Sequence, residues 1–246
     1  MQDNNKIPVI VIVGPTASGK TKLSVMLAKA LDAEILSFDS MQIYSGMDIA
    51  TAKPSAEEMQ GIPHHMIGVI PNDKSFSVAK YKEMADEIID GINARGHRVI
   101  MVGGTGLYAD AVLQNLELLE APDTTEIRES LKKELSEVGP VKMHEKLQKI
   151  DPEAAKKIHP NNTGRVIRAL EVYYSTGHTM TYQVENSKKV PSRYVPFYIG
   201  LTAENRDFLY ERINKRVDLM LEKGLLEEAK DFKASLDKNL KATASD

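Results

Sequence analysis

The sequence predicts an α/β fold in which a parallel β-sheet core is interrupted by a helical insertion. An apolar, β-branched run at residues 7–13 is typical of a buried parallel strand. A glycine-rich turn and an amphipathic helix follow this run directly. From about residue 113, strand-like runs give way to polar helical periodicity. We assign residues 1–112 to the first part of the core, 113–195 to the insertion and 196–246 to the return to the core.

Composition limits the classes of protein to consider. The 246 residues suit one large or two small domains, and 42% hydrophobic with 27% charged residues is ordinary for a globular protein. The absence of cysteine excludes disulfides and thiolate chemistry and suits a reducing cytoplasm, where we expect the protein. We find no apolar run of the ~18–20 residues that a membrane helix needs, and residues 1–6 do not resemble a signal peptide. A net charge of −3 means that nucleic-acid binding would depend on a local patch.

The glycine-rich turn matches the phosphate-binding pattern G-x-x-x-x-G-K-[ST] at every fixed position. Its residues are Gly14, Pro15, Thr16, Ala17, Ser18, Gly19, Lys20 and Thr21. The helix predicted over 20–31 begins at these glycines, so backbone N–H groups and the helix dipole favour an anion. We expect Lys20 to reach the outer phosphates and the Thr21 hydroxyl to hold Mg²⁺. The core is therefore predicted to be P-loop NTPase-like and to bind a di- or triphosphate.

A second predicted strand, over 34–38, is followed by Asp39. Ligands of open α/β sheets bind beyond the carboxyl ends of the strands, so we expect Asp39 near the phosphates. Three roles remain open for Asp39: a Mg²⁺ ligand, a general base or a solvated turn residue. In the loop that follows, Lys53 could contact an anion, although exposure is the usual state of a loop lysine.

A later strand, predicted over 98–102, ends in Gly103-Gly104-Thr105. In many P-loop NTPases such a strand ends in an aspartate that helps to hold Mg²⁺, so its absence here counts against an ordinary ATPase or GTPase. The glycines would let backbone approach a ligand closely, and Thr105 offers a hydroxyl beside it. A tight strand–helix turn without a ligand is the alternative.

The insertion is helical and locally basic. We expect helix breaks at Pro122, Gly139-Pro140, Pro152 and Pro160. Between Arg128 and Arg168, ten lysines and arginines stand against six acidic residues, which indicates a polyanionic partner, although charged helix faces are usually only solvated. Arg165 and Arg168 are three residues apart and share a helix face.

After the insertion, a strand over 196–201 is predicted to rejoin the sheet, and a helix over 204–223 follows. Its predicted buried stripe consists of Leu209, Ile213, Val217, Met220 and Leu221. Three arginines, Arg206, Arg212 and Arg216, lie along this helix, and one of them could reach the phosphates, although exposure is the usual state. We take Arg212 as the candidate, while the other two stay open. A further helix begins at 225 and is followed by a polar tail.

Six segments, in order and over nearly the whole chain, resemble those of the tRNA dimethylallyltransferases (tRNA isopentenyltransferases). They are Gly-Pro-Thr-Ala-Ser-Gly-Lys-Thr at 14–21, Asp-Ser-Met-Gln-Ile-Tyr at 39–44, Gly-Met-Asp-Ile-Ala-Thr-Ala-Lys-Pro at 46–54, Val-Gly-Gly-Thr-Gly-Leu-Tyr at 102–108, Ile-His-Pro-Asn-Asn at 158–162 with Arg-Val-Ile-Arg-Ala-Leu-Glu-Val at 165–172, and Leu-Tyr-Glu-Arg-Ile-Asn-Lys-Arg-Val at 209–217. Many enzymes share the first segment, whereas the combination is specific.

The resemblance implies transfer of a dimethylallyl group from its diphosphate to N6 of adenosine 37, next to the anticodon of tRNA. It implies that residues 14–21 hold the prenyl diphosphate and not ATP, with Mg²⁺ as cofactor. Asp39 then resembles the general base, and Thr105 resembles a threonine near the reacting centre. The residues that the resemblance assigns to tRNA are Asp39, Ser40, Met41, Gln42, Thr105, Arg128, Gly164, Arg165, Val166, Ile167 and Arg168.

The sequence departs from the family in places, and other functions compete. The family usually has Gly where Ala50 stands and often Asp where Asn162 stands. It also continues beyond Ala-Thr-Ala-Ser at 242–245, so we expect this sequence to be truncated. The alternatives are a P-loop kinase of small molecules or nucleotides, an adenylate isopentenyltransferase acting on free nucleotide, and a non-catalytic RNA-binding module. We expect a monomer that binds tRNA and dimethylallyl diphosphate and does not bind membranes.

Overall fold

In the computed structural model, residues 6–116, 124–187 and 189–243 are described. The chain forms two compact units, one of Met1–Leu113 with Ser192–Asp246 and one of Gln114–Pro191. The break expected at Pro122 and the two ends of the chain, 1–5 and 244–246, lie outside the described residues. None of the described helices combines the length and apolar character needed to span a bilayer.

The regular elements alternate between strands and helices in the first unit and are helical in the second. The strands are β1 (Ile7–Val13), β2 (Ala33–Ser37), β3 (His64–His65), β4 (Arg98–Val102) and β5 (Tyr194–Gly200). The helices are α1 (Lys20–Leu31), α2 (Ala56–Met59), α3 (Val78–Ala94), α4 (Gly106–Leu113), α5 (Thr125–Ile150), α6 (Pro152–Lys157), α7 (Thr163–Thr176), α8 (Met180–Ser187), α9 (Arg206–Glu222) and α10 (Leu225–Thr243).

The first unit is built on a five-stranded parallel sheet in the order β3-β2-β4-β1-β5. Its central strands are apolar on both faces because helices cover both sides. Alternate residues such as Val11 and Met101 pack with α3 and α4 on one face. Ile12 and Ile100 pack with α1 on the other face. The predicted α/β fold with a parallel sheet is confirmed.

The second unit has its own core, in which Leu131, Met143 and Leu147 of α5 pack against Val166 and Leu170 of α7. Helix α5 is interrupted at Gly139, whose φ of 82° and ψ of 168° are not helical, and Pro140 follows. Helix α6 begins at Pro152, and the side chain of the preceding Asp151 caps its N-terminus. The expected helical insertion and its breaks at 139–140 and 152 are confirmed.

The predicted buried stripe of α9 is wrong. None of its residues is buried, and Val217 and Leu221 are 44% and 46% exposed. Helical spacing identifies which side chains share a face, but it does not say whether another element covers that face. In the described part of the chain this face is only partly covered: Leu209, Ile213 and Met220 are half-buried, whereas Val217 and Leu221 are exposed.

Candidate active site

Residues 14–21, the predicted anion site, form the loop at the N-terminus of α1. The N-cap residue Gly19 has a left-handed φ of 99°, no side chain caps the helix and its first turn carries no acidic residue. Its first N–H groups therefore remain available to a ligand. Gly14 allows the loop to pack closely, since a Cβ there would lie 2.7 Å from the carbonyl oxygen of Leu201.

The ammonium of Lys20 is held at the centre of this loop. Its Nζ donates to the carbonyl oxygens of Gly14 and Pro15, at 2.8 Å each. Burial is the main cause that lowers the pKa of Lys20; the charge of Arg216 lowers it further, whereas Asp39 raises it. Lys20 therefore lies within electrostatic reach of both a second cation and a carboxylate, as a group that neutralises an anionic ligand should.

Two side chains test whether the loop suits a diphosphate with Mg²⁺. The Ser18 Oγ is buried and has no hydrogen-bond partner within the described residues, so the loop has an unsatisfied polar atom. Thr21 is exposed at the start of α1. Across residues 6–116, 124–187 and 189–243 there is no cluster of three or more acidic or histidine side chains for a metal. A hydroxyl with phosphate and water oxygens is a donor set that Mg²⁺ accepts, so the residues fit.

Arginines of α9 reach the same loop. Arg212 donates from Nε to the carbonyl oxygen of Ala17 at 2.7 Å, and its guanidinium lies 5.6 Å from the ring centroid of Phe208. Arg216 follows one turn later, and its charge lowers the pKa of Lys20. Both are among the three arginines of this helix that the sequence offers as candidates, and their spacing of four residues places them on one helix face.

The two carboxylate oxygens of Asp39 have different surroundings. Its Oδ1 accepts hydrogen bonds from the N–H groups of Met41 at 2.9 Å and Gln42 at 3.3 Å, which forms a turn at the end of β2. No donor in the described part of the chain reaches Oδ2, which lies 3.7 Å from the ideal Cβ position of Gly104. One oxygen thus holds the turn, and the other is available to accept a proton.

Thr105 connects the end of β4 to the end of β2. Its Oγ1 accepts a hydrogen bond from the Ser40 N–H at 3.0 Å and donates one to the Ser40 Oγ at 3.1 Å. Its own N–H donates to the Phe38 carbonyl oxygen at 3.2 Å. A Cβ at Gly103 would lie 2.6 Å from the carbonyl carbon of Phe38. Gly103 therefore lets the two strand ends touch, and Thr105 fixes the turn that carries Asp39.

Tyr108 and Gln42 complete the surroundings of Asp39. Burial raises the pKa of Tyr108, and the nearby Tyr44 and Asp39 raise it further. The ring of Tyr108 stacks on Tyr81 at 4.2 Å between centroids. The Gln42 amide donates to the carbonyl oxygens of Thr51 at 3.1 Å and Ala52 at 3.2 Å. The first unit thus brings together the anion site, the free carboxylate oxygen of Asp39 and the predicted acceptor-binding residues 39–42.

In the second unit, the predicted tRNA-binding residues Arg128 and Arg168 meet at the buried carboxylate of Glu171. Arg128 donates from Nε at 3.0 Å and from Nη2 at 3.2 Å, Arg168 donates from Nη1 at 2.7 Å, and Thr124 donates its hydroxyl at 2.6 Å. Burial alone would raise the pKa of Glu171, but the hydrogen bonds of Thr124 and Arg128 and the charge of Arg168 hold it below its usual range. Glu171 is not among the residues predicted from the sequence, although its position three residues after Arg168 is a signal for an ion pair.

The other predicted tRNA-binding residues of α7 differ in exposure. Gly164 and Arg165 are exposed, whereas Val166 and Ile167 are buried in the core of the second unit. The tRNA contact proposed for this segment therefore falls to Gly164, Arg165 and Arg168. Within the described residues 124–187, five exposed cations have no ion-pair partner: Lys133, Lys142, Lys149, Lys157 and Arg165.

Comparison with known proteins identifies close relatives. A family model described as IPP transferase matches residues 42–245. A protein of Halalkalibacterium halodurans named tRNA dimethylallyltransferase is 51% identical over 225 residues, which cover 92% of this chain and 71% of that protein. A Bacillus subtilis protein of the same name is 48% identical over 239 residues, which cover 97% of this chain and 74% of that protein.

Solved structures give the same result. The full-length tRNA isopentenylpyrophosphate transferase of Bacillus halodurans is similar at a TM-score of 0.62 and 48% identity, over 94% of this chain and 71% of that one. A eukaryotic dimethylallyltransferase captured in crystallographic snapshots acting on tRNA is similar at a TM-score of 0.76 and 32% identity, over 95% of this chain and 57% of that one.

Proposed function

The chain belongs to the IPP transferase family, and on that premise we propose that it transfers a dimethylallyl group from dimethylallyl diphosphate to N6 of the adenosine next to the anticodon of tRNA. One observation carries this proposal: the Asp39 carboxylate, just after β2, lies within electrostatic reach of Lys20, and one of its oxygens accepts no hydrogen bond from any described residue. Such a pairing suits a reaction in which a diphosphate leaves while a nitrogen loses a proton.

The anion site would stabilise the leaving group. As the bond between the allylic carbon and the diphosphate oxygen breaks, negative charge accumulates on the diphosphate. Lys20 and the N–H groups of α1 face that charge, and Arg216 supports it. Arg212 would act on the loop through its hydrogen bond to Ala17.

Asp39 would serve the acceptor. N6 attacks the allylic carbon, the new C–N bond forms, and N6 passes one proton to the free Oδ2 of Asp39. The adenine must leave its stack to enter the pocket of residues 39–42, which costs a few kcal/mol and is easiest from a single-stranded loop. Thr105 would hold the turn through Ser40.

We also propose Mg²⁺ as the cofactor, with the Thr21 hydroxyl as the ligand that the protein supplies. When bound, Mg²⁺ would offset part of the diphosphate charge. For the anticodon stem-loop we propose Arg128, Gly164, Arg165 and Arg168, since these residues are exposed and lie in the locally basic stretch between Arg128 and Arg168. We further propose a monomer working in the cytoplasm, the compartment that suits an enzyme acting on tRNA.

A transfer assay tests the proposed function. The chain, Mg²⁺ and labelled dimethylallyl diphosphate are mixed with unmodified tRNA and, in parallel, with AMP, and a third reaction follows phosphoryl transfer from labelled ATP. We expect label in tRNA only. Label in AMP would instead assign the chain to transfer onto free nucleotide, and phosphoryl transfer from ATP without prenylation would assign it to the kinases.

A further inference from the structure

A carboxylate from the last helix occupies a turn of the loop that follows the site. Glu228, in the first turn of α10, accepts hydrogen bonds at Oε1 from the N–H groups of Asp48 at 2.7 Å and Ile49 at 2.8 Å. Its Oε2 accepts one from the Ala50 N–H at 2.7 Å. Three successive N–H groups form an anion-binding concavity, and a side chain about 180 residues further along the chain fills it.

The same loop is closed by two further side chains. The Lys53 side chain is only 7% exposed, so the expectation of an exposed lysine is wrong. Its ammonium donates to the Tyr44 carbonyl oxygen and lies 2.6 Å from the Asp48 carboxylate. The Thr51 hydroxyl donates to the Met47 carbonyl oxygen at 2.5 Å. Residues 44–53 therefore form a closed loop. Among the described residues, Glu228 is the one side chain of α10 that forms hydrogen bonds with this loop.

This loop holds the side chain of Gln42. The carbonyl oxygens of Thr51 and Ala52 both accept from the Gln42 amide, while the Gln42 N–H donates to Asp39. A continuous series of hydrogen bonds and short backbone segments thus runs from Glu228, through the loop, to the turn that carries Asp39. Lys20 and the N-terminus of α1 have no part in this series.

We propose that Glu228 is a positioning residue for the acceptor: by fixing the 48–50 turn, it holds Gln42 and the pocket of residues 39–42 in the conformation that receives the adenine. The inference rests on the proposed function of that pocket. Its distinctive consequence is selectivity between substrates. Loss of Glu228 affects the acceptor, whereas the diphosphate is bound by a loop that Glu228 does not touch.

Kinetics with each substrate varied in turn test this role. The variants are Glu228→Gln, which keeps one acceptor oxygen, and Glu228→Ala, which removes both; Glu227→Gln, exposed on the same helix, is the matched control. We expect kcat/KM for tRNA to fall about tenfold in Glu228→Ala and less in Glu228→Gln, because charge-assisted hydrogen bonds are lost. KM for dimethylallyl diphosphate should change by less than about twofold, as in the control.

Amide hydrogen exchange supplies a second readout that does not depend on turnover. In Glu228→Ala the amides of residues 48–50 should exchange faster, while those of the buried β1 and β4 keep their protection and show that the fold is intact. Equal losses for both substrates, no loss, or unchanged exchange at 48–50 would overturn the inference. A wild-type chain that prenylates no acceptor would refute the proposed function instead, and exchange at 48–50 and at Gln42 would still decide the positioning.

Discussion

Gly103 lies where the segment after β4 packs directly against the segment after β2. Its missing side chain leaves room for the Phe38 backbone, and the Thr105 N–H then reaches the Phe38 carbonyl oxygen at 3.2 Å. The sequence indicated glycines that let backbone approach a ligand; at Gly103 the close approach is to the protein's own chain. The residue thereby sets the position of Asp39 without taking part in the chemistry.

Gly103→Ala should destabilise the protein. The added Cβ would lie 2.6 Å from the carbonyl carbon and 2.7 Å from the carbonyl oxygen of Phe38, neither of which can rotate away. Overpacking of this kind costs about 1–3 kcal/mol, which chemical denaturation would measure as a lower free energy of unfolding. Gly104→Ala is the matched control, because its Cβ would meet the nearest atom at 3.7 Å. Equal stability of the two variants would contradict the account.

Some site residues could be predicted from the sequence and others could not. Asp39 and Thr105 come shortly after β2 and β4, and Lys20 begins the helix that the glycine-rich loop connects to β1. Parallel topology alone therefore brings them to one edge of the sheet. Glu228 was missed because its partners lie about 180 residues away and are backbone N–H groups, which leave no pattern of side chains to read. Whether a long-range contact forms depends on packing that local periodicity does not encode.

At the scale of elements, β1, α1 and β4 have the bounds that the sequence predicts. Each is delimited by a strong local signal, such as the glycines before α1 or the β-branched run of β1. The prediction for α9 fails for a different reason: its apolar residues have the spacing of a buried stripe, yet in the described chain none of them is fully buried. Local patterns thus specify the elements better than they specify which faces are covered.

The buried Glu171 should control the two arginines that it binds. Glu171→Gln removes the charge that Arg128 and Arg168 share, so we expect the free energy of unfolding to fall by about 1–3 kcal/mol and tRNA binding to weaken. Dimethylallyl diphosphate binding should stay unchanged. Glu129→Gln, in an exposed pair with Lys132, is the control and should cost at most about 1 kcal/mol. Wild-type stability and tRNA affinity in Glu171→Gln would contradict this role.

Strand β2 also carries an acid-sensitive contact. Arg95 donates two hydrogen bonds to Glu34, at 2.9 and 2.8 Å, and these principally hold the pKa of Glu34 below its usual range. A lowered folded-state pKa stabilises the protein above the unfolded-state value of about 4.3, and the effect is lost as the pH falls through the folded-state pKa. Glu34→Gln should therefore be less stable at neutral pH and lose stability less steeply below about pH 4.3. Parallel unfolding curves against pH would refute this.

At the scale of the whole molecule, the net charge is −3, but positive charges outnumber negative ones between Arg128 and Arg168. Besides Arg128 and Arg168, which share Glu171, the five exposed cations without ion-pair partners in the described residues 124–187 are the side chains that we propose for contacts with RNA phosphates. The net charge indicates that polyanion binding depends on a local patch, and the local count of charges indicates such a patch between Arg128 and Arg168. The ion pairs then identify which of its cations have no acidic partner among the described residues. How strongly they bind is a matter for measurement against salt.

The affinity for tRNA should fall steeply with added salt. With about five phosphate contacts and a slope of about −0.8 per contact, binding should weaken about 250-fold between ~50 and ~200 mM salt. Filter binding or anisotropy at constant Mg²⁺ would measure the slope. Lys157→Gln should make the slope shallower by about one unit. A tRNA affinity that does not change with salt would contradict RNA binding by the cations of the second unit.

The most direct test of the central claim is prenyl transfer by Asp39→Asn, measured together with binding of dimethylallyl diphosphate. Asparagine retains the oxygen that accepts from Met41 and Gln42 but replaces the proton-accepting oxygen with an amide group. We predict that transfer to tRNA falls about 10²–10⁴-fold, as for loss of a general base, while the affinities for the diphosphate and for tRNA are retained. Transfer at the wild-type rate, or loss of diphosphate binding in parallel with transfer, would contradict the account.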